Sequence, residues 1–155
     1  MTPPSSAAER RLIAAITAGM FLLLVAYSLL IPTFRNPDEA AHVDLARLMA
    51  RSTHYPEYDD RYIEDEVMRG VGLSWAGQQG RHLAASQALP RGSRPSFDEL
   101  DRGIKTVDRN QLAQHPPLYY AALGGWSRLT DAAPLPAVMR GFEAQVWLLR
   151  LGNVL

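Results

Sequence analysis

The feature that most constrains this chain is an apolar run of twenty residues without a charged side chain, Leu12–Ile31 (LIAAITAGMFLLLVAYSLLI). A helix rises about 1.5 Å per residue, so a helix of this length spans the hydrocarbon core of a bilayer, about 30 Å thick. Arg10 and Arg11 precede the run directly, and Pro32 closes it. Because basic residues favour the cytoplasmic side, we expect residues 1–11 in the cytoplasm and the chain from Pro32 onward outside the inner membrane.

The same run has an alternative interpretation as a cleaved secretory signal. Residues 26–28 (Ala-Tyr-Ser) have the small-x-small pattern of a cleavage site, and residues 12–25 form an apolar core of suitable length. Against this, residues 29–31 continue the apolar run beyond that site. We therefore favour an uncleaved transmembrane helix over 12–31, whereas a mature N-terminus near Leu29 would identify a secreted soluble domain.

Composition excludes several classes of function. The 155 residues contain 16 Lys plus Arg and 16 Asp plus Glu, so the formal net charge is zero and a nucleic-acid partner is not expected. Because there is no cysteine, a thiol nucleophile, a disulfide framework and a thiolate metal site are all ruled out. The sequence also contains no glycine-rich phosphate loop, no Gly-x-Ser-x-Gly elbow and no His-Glu-x-x-His zinc motif.

The remaining chain predicts a mainly α protein. An extracytoplasmic loop region over 32–136 is expected to carry amphipathic surface helices near 37–51 and 116–129. Residues 54–110 lack a sustained period and indicate a long loop. Residues 137–155 turn apolar again and predict a helix that leads into a second transmembrane span. The architecture is therefore an N-terminal transmembrane helix, an outer loop with surface helices and the start of a second transmembrane helix.

The C-terminal end of the sequence is apolar up to its last residue. The stretch AQVWLLRLGNVL, residues 144–155, has Arg150 as its only charged side chain and is followed by no polar tail. We interpret the chain as the N-terminal segment, or a truncated product, of a larger polytopic membrane protein.

The helix near 37–51 has a recognisable start. Asn36 suits the N-cap, Pro37 suits the first helical position, and Glu39 completes a capping box. A narrow apolar stripe follows at helical spacing, formed by Ala41, Leu45, Leu48 and Met49. Further along, the acidic stretch at 57–66 (EYDDRYIEDE) is interpreted as a solvated face.

Asp38, Glu39 and His42 are the sharpest candidates for chemistry. On a helix His42 lies four residues after Asp38 and three after Glu39, so the three side chains are expected to converge. Such a group could accept a proton or hold a divalent cation. Acidic residues in a first turn are also favoured by the helix dipole alone, without any catalytic role. A di-metal site would need a second Glu-x-x-His motif, so no metal ligand is assigned and a divalent metal cofactor stays open.

A second constellation is QHPPLYY, residues 114–120. Its two prolines fix the start of a helix. His115 is a candidate ligand or base, or simply a hydrogen-bonded residue. Tyr119, Tyr120 and Trp126 offer amphipathic rings that suit a membrane interface, a sugar-stacking surface or ordinary packing.

The order of these parts resembles a known family. A span with a basic start is followed by PDEAAH in the first outer loop, then by HPPLYY, then by an Arg-Leu-x-Asn sequence at 150–153. This order is similar to the N-terminal part of polytopic C-superfamily (GT-C) glycosyltransferases of the dolichyl-phosphate-mannose mannosyltransferase-like group. The matching parts are residues 12–50, about 111–123 and 150–155, which together make up more than a third of the 155 residues.

The resemblance implies a site and a substrate. Asp38, with Glu39 beside it, matches the acidic residue that acts as a base or assists a metal in that superfamily. The implied donor is a polyprenyl-phosphate-linked sugar, so membrane lipid and lipid-linked sugar are the expected partners. We expect the substrate-binding residues to be His42, His115, Tyr119 and Arg150, the last meeting a lipid phosphate. Such enzymes have many more spans, so the 155 residues alone are expected to be inactive.

A non-enzymatic alternative stays open. The chain would then be a single-span envelope protein with an outer loop that binds a partner. The Gly-, Ser-, Gln- and Pro-rich stretch at 74–96 supports this alternative, because such segments often fold on binding. The oligomeric state is not predicted by either interpretation.

Overall fold

The computed structural model describes residues 6–58, 60–74, 93–100 and 107–154. Within these ranges 67% of the residues are helical and no strand forms, which confirms the mainly α fold class. The five α-helices of the described residues are α1 (Ala7–Leu30), α2 (Glu39–Arg51), α3 (Asp65–Leu73), α4 (Pro117–Ala132) and α5 (Phe142–Gly152). Three short 3-10 turns accompany them, at Phe97–Glu99, Gln111–Gln114 and Ala137–Met139.

Helix α1 is the one described helix that is long and apolar enough to cross a membrane. It starts at a capping box, in which the Glu9 amide donates to Ser6 Oγ at 3.2 Å and the Ser6 amide donates to Glu9 Oε2 at 3.0 Å. None of its 24 residues is buried against the rest of the described chain. A long helix that is apolar on every side and faces no protein core has the properties of a lipid-embedded segment.

The helices after α1 pack around α2. Eight of the 13 residues of α2 are buried. The buried surface of this helix is therefore wider than the narrow apolar stripe predicted from the sequence. Helix α4 approaches it most closely at Gly124, where an added Cβ would lie 2.6 Å from the Met49 carbonyl carbon. The main core contains Val43, Ala46, Val67, Phe97, Leu100, Leu123, Phe142, Val146 and Leu149. It joins α2, α3, α4 and α5 to the segment around Phe97.

The predicted start of α2 is wrong. The helix begins at Glu39 rather than Pro37, and the N-cap is Asp38, which has a left-handed backbone (φ 58°) and makes no capping hydrogen bond with its side chain. The capping box predicted from Asn36 does not form, because the Glu39 carboxylate accepts a hydrogen bond from the Phe34 amide instead. The chain therefore turns sharply between α1 and α2.

The predicted loop over 54–110 contains a helix that the sequence reading missed, α3. Its Val67 is fully buried, and an added Cβ at Gly70 would lie 3.0 Å from the Phe97 ring. The prediction of a solvated acidic face at 57–66 is wrong at its C-terminal end, because Glu66 is only 4% exposed. Residues 75–92 and 101–106 of the predicted loop lie outside the described residues.

Helices α4 and α5 fall close to their predicted positions. The helix expected near 116–129 runs from Pro117 to Ala132, with a separate 3-10 turn before it. The helix expected within 137–155 is limited to Phe142–Gly152. The second transmembrane span that was expected to follow it stays a prediction.

Candidate functional site

The first part of the site is the C-terminal end of α1, where Arg150 from α5 contacts the backbone. Arg150 Nη1 donates to the carbonyls of Ser28 and Ile31, at 3.0 and 2.6 Å, and Nη2 donates to the carbonyl of Pro32 at 3.0 Å. The last carbonyls of a helix have no partner within the helix, and a cation there also interacts favourably with the helix dipole. Arg150 thus provides hydrogen-bond donors for the last carbonyls of α1 and stabilises the end of that helix.

The same guanidinium forms a two-point ion pair with Glu39. Arg150 Nε lies 2.5 Å from Oε1 of Glu39, and Nη2 lies 2.8 Å from Oε2. Because a guanidinium has five N–H donors, and five contacts to protein acceptors are present, Arg150 is fully used. Glu39 is only 7% exposed and also accepts the Phe34 amide. The ion pair therefore joins α1, α2 and α5. From the sequence, Glu39 was expected at the catalytic site and Arg150 at a lipid phosphate.

Asp38 lies in a different environment from its neighbour. Its side chain is exposed, and it lines an open cleft of about 520 Å³. His115, from the second motif, lines the same cleft. The other polar side chains of the lining are Asp108, Arg109, Gln111 and Gln114. Carboxylates, amides and an imidazole around one cleft can accept a proton and hydrogen-bond the hydroxyls of a polar ligand.

His42 follows one helical turn after Asp38 and contacts the second motif directly. Its Nδ1 lies 3.0 Å from the hydroxyl of Tyr120, and the two rings stack with centroids 5.9 Å apart. Burial lowers the pKa of His42, and the positive charge of a protonated His115 would lower it further. Asp38 and Glu39 act in the opposite direction but do not reverse the shift. The surroundings of His42 therefore favour the neutral form of its ring more than water does.

Tyr119 completes this aromatic group. Its hydroxyl donates to Asn153 Oδ1 at 2.8 Å, and its ring meets that of Tyr120 edge to face at 4.8 Å. Burial raises the pKa of Tyr119, although the hydrogen bond to Asn153 opposes this. The side chain is still 44% exposed, so its ring can contact a ligand.

The structure contains a buried polar group that sequence reasoning missed. Asp44 is fully buried and forms a two-point ion pair with Arg61, at 2.9 and 2.6 Å. It also accepts hydrogen bonds from the Glu64 amide at 2.9 Å and from Asn110 Nδ2 at 2.7 Å. Burial raises the pKa of Asp44, and Arg61 partly offsets this effect. The partners are distant in sequence and give no signal by their spacing.

The expected convergence of Asp38, Glu39 and His42 is not found. Within the described residues no three acidic or histidine side chains come together in a way that could hold a metal ion. The reason is local, because Glu39 is directed to Arg150 and His42 to Tyr120. A divalent metal cofactor therefore has no assigned ligand set in this part of the protein.

Comparison with known proteins identifies no relative of this chain. No protein-family model, curated protein or solved structure matches it.

Proposed function

We propose that this chain is the N-terminal part of an integral membrane glycosyltransferase that uses a polyprenyl-phosphate-linked sugar donor. Asp38 is the catalytic carboxylate, and the cleft that it shares with His115 receives the sugar end of the donor or the acceptor. The resemblance of PDEAAH and HPPLYY to motifs of GT-C enzymes motivates this proposal.

The observation that carries the proposal is the meeting of the two motifs. They are more than 70 residues apart in the sequence, yet Asp38 and His115 line one cleft, and His42 contacts both Tyr119 and Tyr120. If each motif served only to cap or pack its own helix, the two motifs would not need to lie at one site. Their proximity supports one ligand-binding region that is built from both motifs.

The distance from the membrane also supports the proposal. Asp38 follows the last residue of α1, Leu30, by eight positions, and the Arg150–Glu39 pair ties α2 to the end of that helix. A lipid-linked donor keeps its chain in the bilayer, so its reacting group stays close to the surface. We place residues 1–11 in the cytoplasm and the cleft outside the inner membrane, as the basic pair before α1 favours.

The residue roles follow from the contacts. Asp38 accepts a proton from the attacking hydroxyl, since its carboxylate is exposed in the cleft. His115 and Tyr119 bind the ligand through their accessible side chains. We assign a positioning role to Glu39 and Arg150, because their polar atoms are bonded to each other and to the backbone.

The proposal is tested by Asp38→Asn in the complete membrane protein. General acid–base groups contribute about 10²–10⁴-fold to a rate, so we expect sugar transfer from a polyprenyl-phosphate donor in isolated membranes to fall by at least about 100-fold. Asp60→Asn is the matched control, because Asp60 is exposed and does not line the cleft. Unchanged transfer by the Asp38 variant would contradict the assignment.

One observation favours a second candidate, a partner-binding envelope protein. Two large apolar side chains of α4 are exposed, Leu118 by 80% and Leu129 by 69%. Exposed apolar surface often marks a protein interface. A photo-crosslinker at Leu118 would then capture one envelope protein, and Leu129→Glu would abolish the capture while Asp38→Asn would not. The glycosyltransferase proposal predicts no dependence of sugar transfer on such a separate partner.

A further inference from the structure

The contact between Tyr120 and His42 includes a hydrogen bond whose direction can be assigned. Tyr120 is completely buried, and its hydroxyl lies 3.0 Å from Nδ1 of His42. Among the described residues this nitrogen is the hydrogen-bond partner of that hydroxyl. A buried hydroxyl that has no acceptor for its hydrogen loses the hydrogen bond that it had in water, which is unfavourable. The Tyr120 hydroxyl therefore donates, and Nδ1 of His42 accepts.

We propose that the Tyr120 hydroxyl is a positioning group that holds His42 as the neutral tautomer with its proton on Nε2. His42 then presents a hydrogen-bond donor, and not a base, to the ligand of this site. The inference rests on the proposed function in one respect, which is that the surroundings of His42 bind a ligand.

The charges around His42 agree with a neutral ring. The groups that face it are Asp38 and Glu39 from the start of α2, His115 from the turn before α4, Tyr119 and Tyr120 from α4, and Arg150 from α5. Burial lowers the pKa of His42 and raises that of Tyr120, and both shifts favour a neutral imidazole beside a phenol that keeps its hydrogen. The Glu39 carboxylate is paired with Arg150 rather than with the His42 ring.

The consequence for recognition follows from imidazole chemistry. In a neutral ring one nitrogen is a donor and the other an acceptor, so a ring that accepts at Nδ1 has its N–H at Nε2. Nε2 has no partner among the described residues. His42 is partly exposed and lines a narrow cleft of about 40 Å³ beside Glu39 and Asn153. A ligand atom that bonds to Nε2 would therefore be an acceptor, such as an oxygen of a sugar hydroxyl or of a phosphate group.

The experiment is ¹⁵N NMR of histidine-labelled protein, using the full 155-residue chain in lipid nanodiscs at pH 7. The chain has four histidines, and His42→Gln identifies the signal of His42. We expect the wild-type ring to be the Nε2–H tautomer. In Tyr120→Phe, which keeps the ring and removes the hydroxyl, we expect the ratio of Nε2–H to Nδ1–H forms to fall by about fivefold, equivalent to a hydrogen bond of about 1 kcal/mol.

The matched control is Tyr119→Phe, the same change in the adjacent residue. The Tyr119 hydroxyl donates to Asn153 and not to His42, so the tautomer ratio should stay as in the wild type. The proposal is overturned by a wild-type ring with its proton on Nδ1, by a Tyr120 variant with an unchanged ratio, or by equal effects of both variants. Since the wild-type spectrum alone can refute it, the test does not depend on the folding of a variant.

This readout is also independent of sugar transfer. If Asp38→Asn leaves transfer unchanged while the His42 spectra behave as expected, the proposed function fails and the tautomer assignment stands. If Asp38→Asn abolishes transfer and the His42 ring has its proton on Nδ1, the tautomer assignment fails and the proposed function stands.

Discussion

Two adjacent acidic residues, Asp38 and Glu39, lie in opposite environments at the start of α2. Asp38 is exposed in a cleft, whereas Glu39 is buried and bonded to Arg150 and to the Phe34 amide. A carboxylate that serves as a base must reach its ligand, and one that is fixed by a guanidinium cannot easily do so. At the scale of single residues, the structure therefore separates a group suited to chemistry from a group suited to stability.

This separation predicts different effects of substitutions at the two positions. Glu39→Ala leaves the Arg150 guanidinium without its carboxylate, and removing one partner of a buried pair costs about 3–5 kcal/mol. Asp38→Asn changes an exposed side chain that makes no capping hydrogen bond, and asparagine also tolerates the left-handed backbone at this position, so the free energy of unfolding should change by less than about 0.5 kcal/mol. Denaturant unfolding in detergent micelles, followed by circular dichroism, measures both. Equal destabilisation by the two variants would contradict the separate roles.

Helices α2 and α4 form the closest contact between elements of the site. They carry one motif each, and Gly124 lets their backbones approach where any larger residue would collide with Met49. The neighbouring Gly125 has no atom within 4 Å of an added Cβ. The close packing of α2 against α4 therefore depends on a single glycine in the middle of α4.

The two glycines predict opposite results for the same substitution. Gly124→Ala introduces a clash with the Met49 backbone, which should cost about 1–3 kcal/mol of unfolding free energy. Gly125→Ala has open space and should stabilise the helix by about 0.5–1 kcal/mol, because alanine loses less conformational freedom than glycine. Thermal unfolding of the two variants beside the wild type measures the difference. Stabilisation by both substitutions would show that α2 and α4 are not in tight contact.

The helices themselves could be predicted from the sequence only in part. The long apolar run predicts the end of α1 to within one residue, but the helix begins at Ala7, five residues before the predicted start at Leu12. The two prolines predict the start of α4. The start of α2 was misplaced because Glu39 bonds to Arg150, a residue 111 positions away, rather than to its own helix end. Helix α3 was missed because it is short and its buried Val67 gains its partners only from tertiary packing.

The described part of the protein combines a long apolar helix, α1, with a group of shorter helices that Arg150 links to the C-terminal end of α1. Arg150 bonds the end of α1 on one side and Glu39 on the other, so the cleft at Asp38 is fixed relative to that end. The sequence predicted the residues of this region but not their pairing, since contacts between distant positions leave no periodic signal. The location of the cleft near an outer membrane surface is the central claim of the proposed function.

That claim is tested most directly by labelling single cysteines in intact cells with a membrane-impermeant thiol reagent. The chain has no native cysteine, so Asp38→Cys and Ser5→Cys can each be labelled without background. We predict that position 38 is labelled in intact cells, whereas position 5 is labelled only after the membrane is permeabilised. Labelling of position 5 but not of position 38 in intact cells would place the cleft in the cytoplasm and contradict the account.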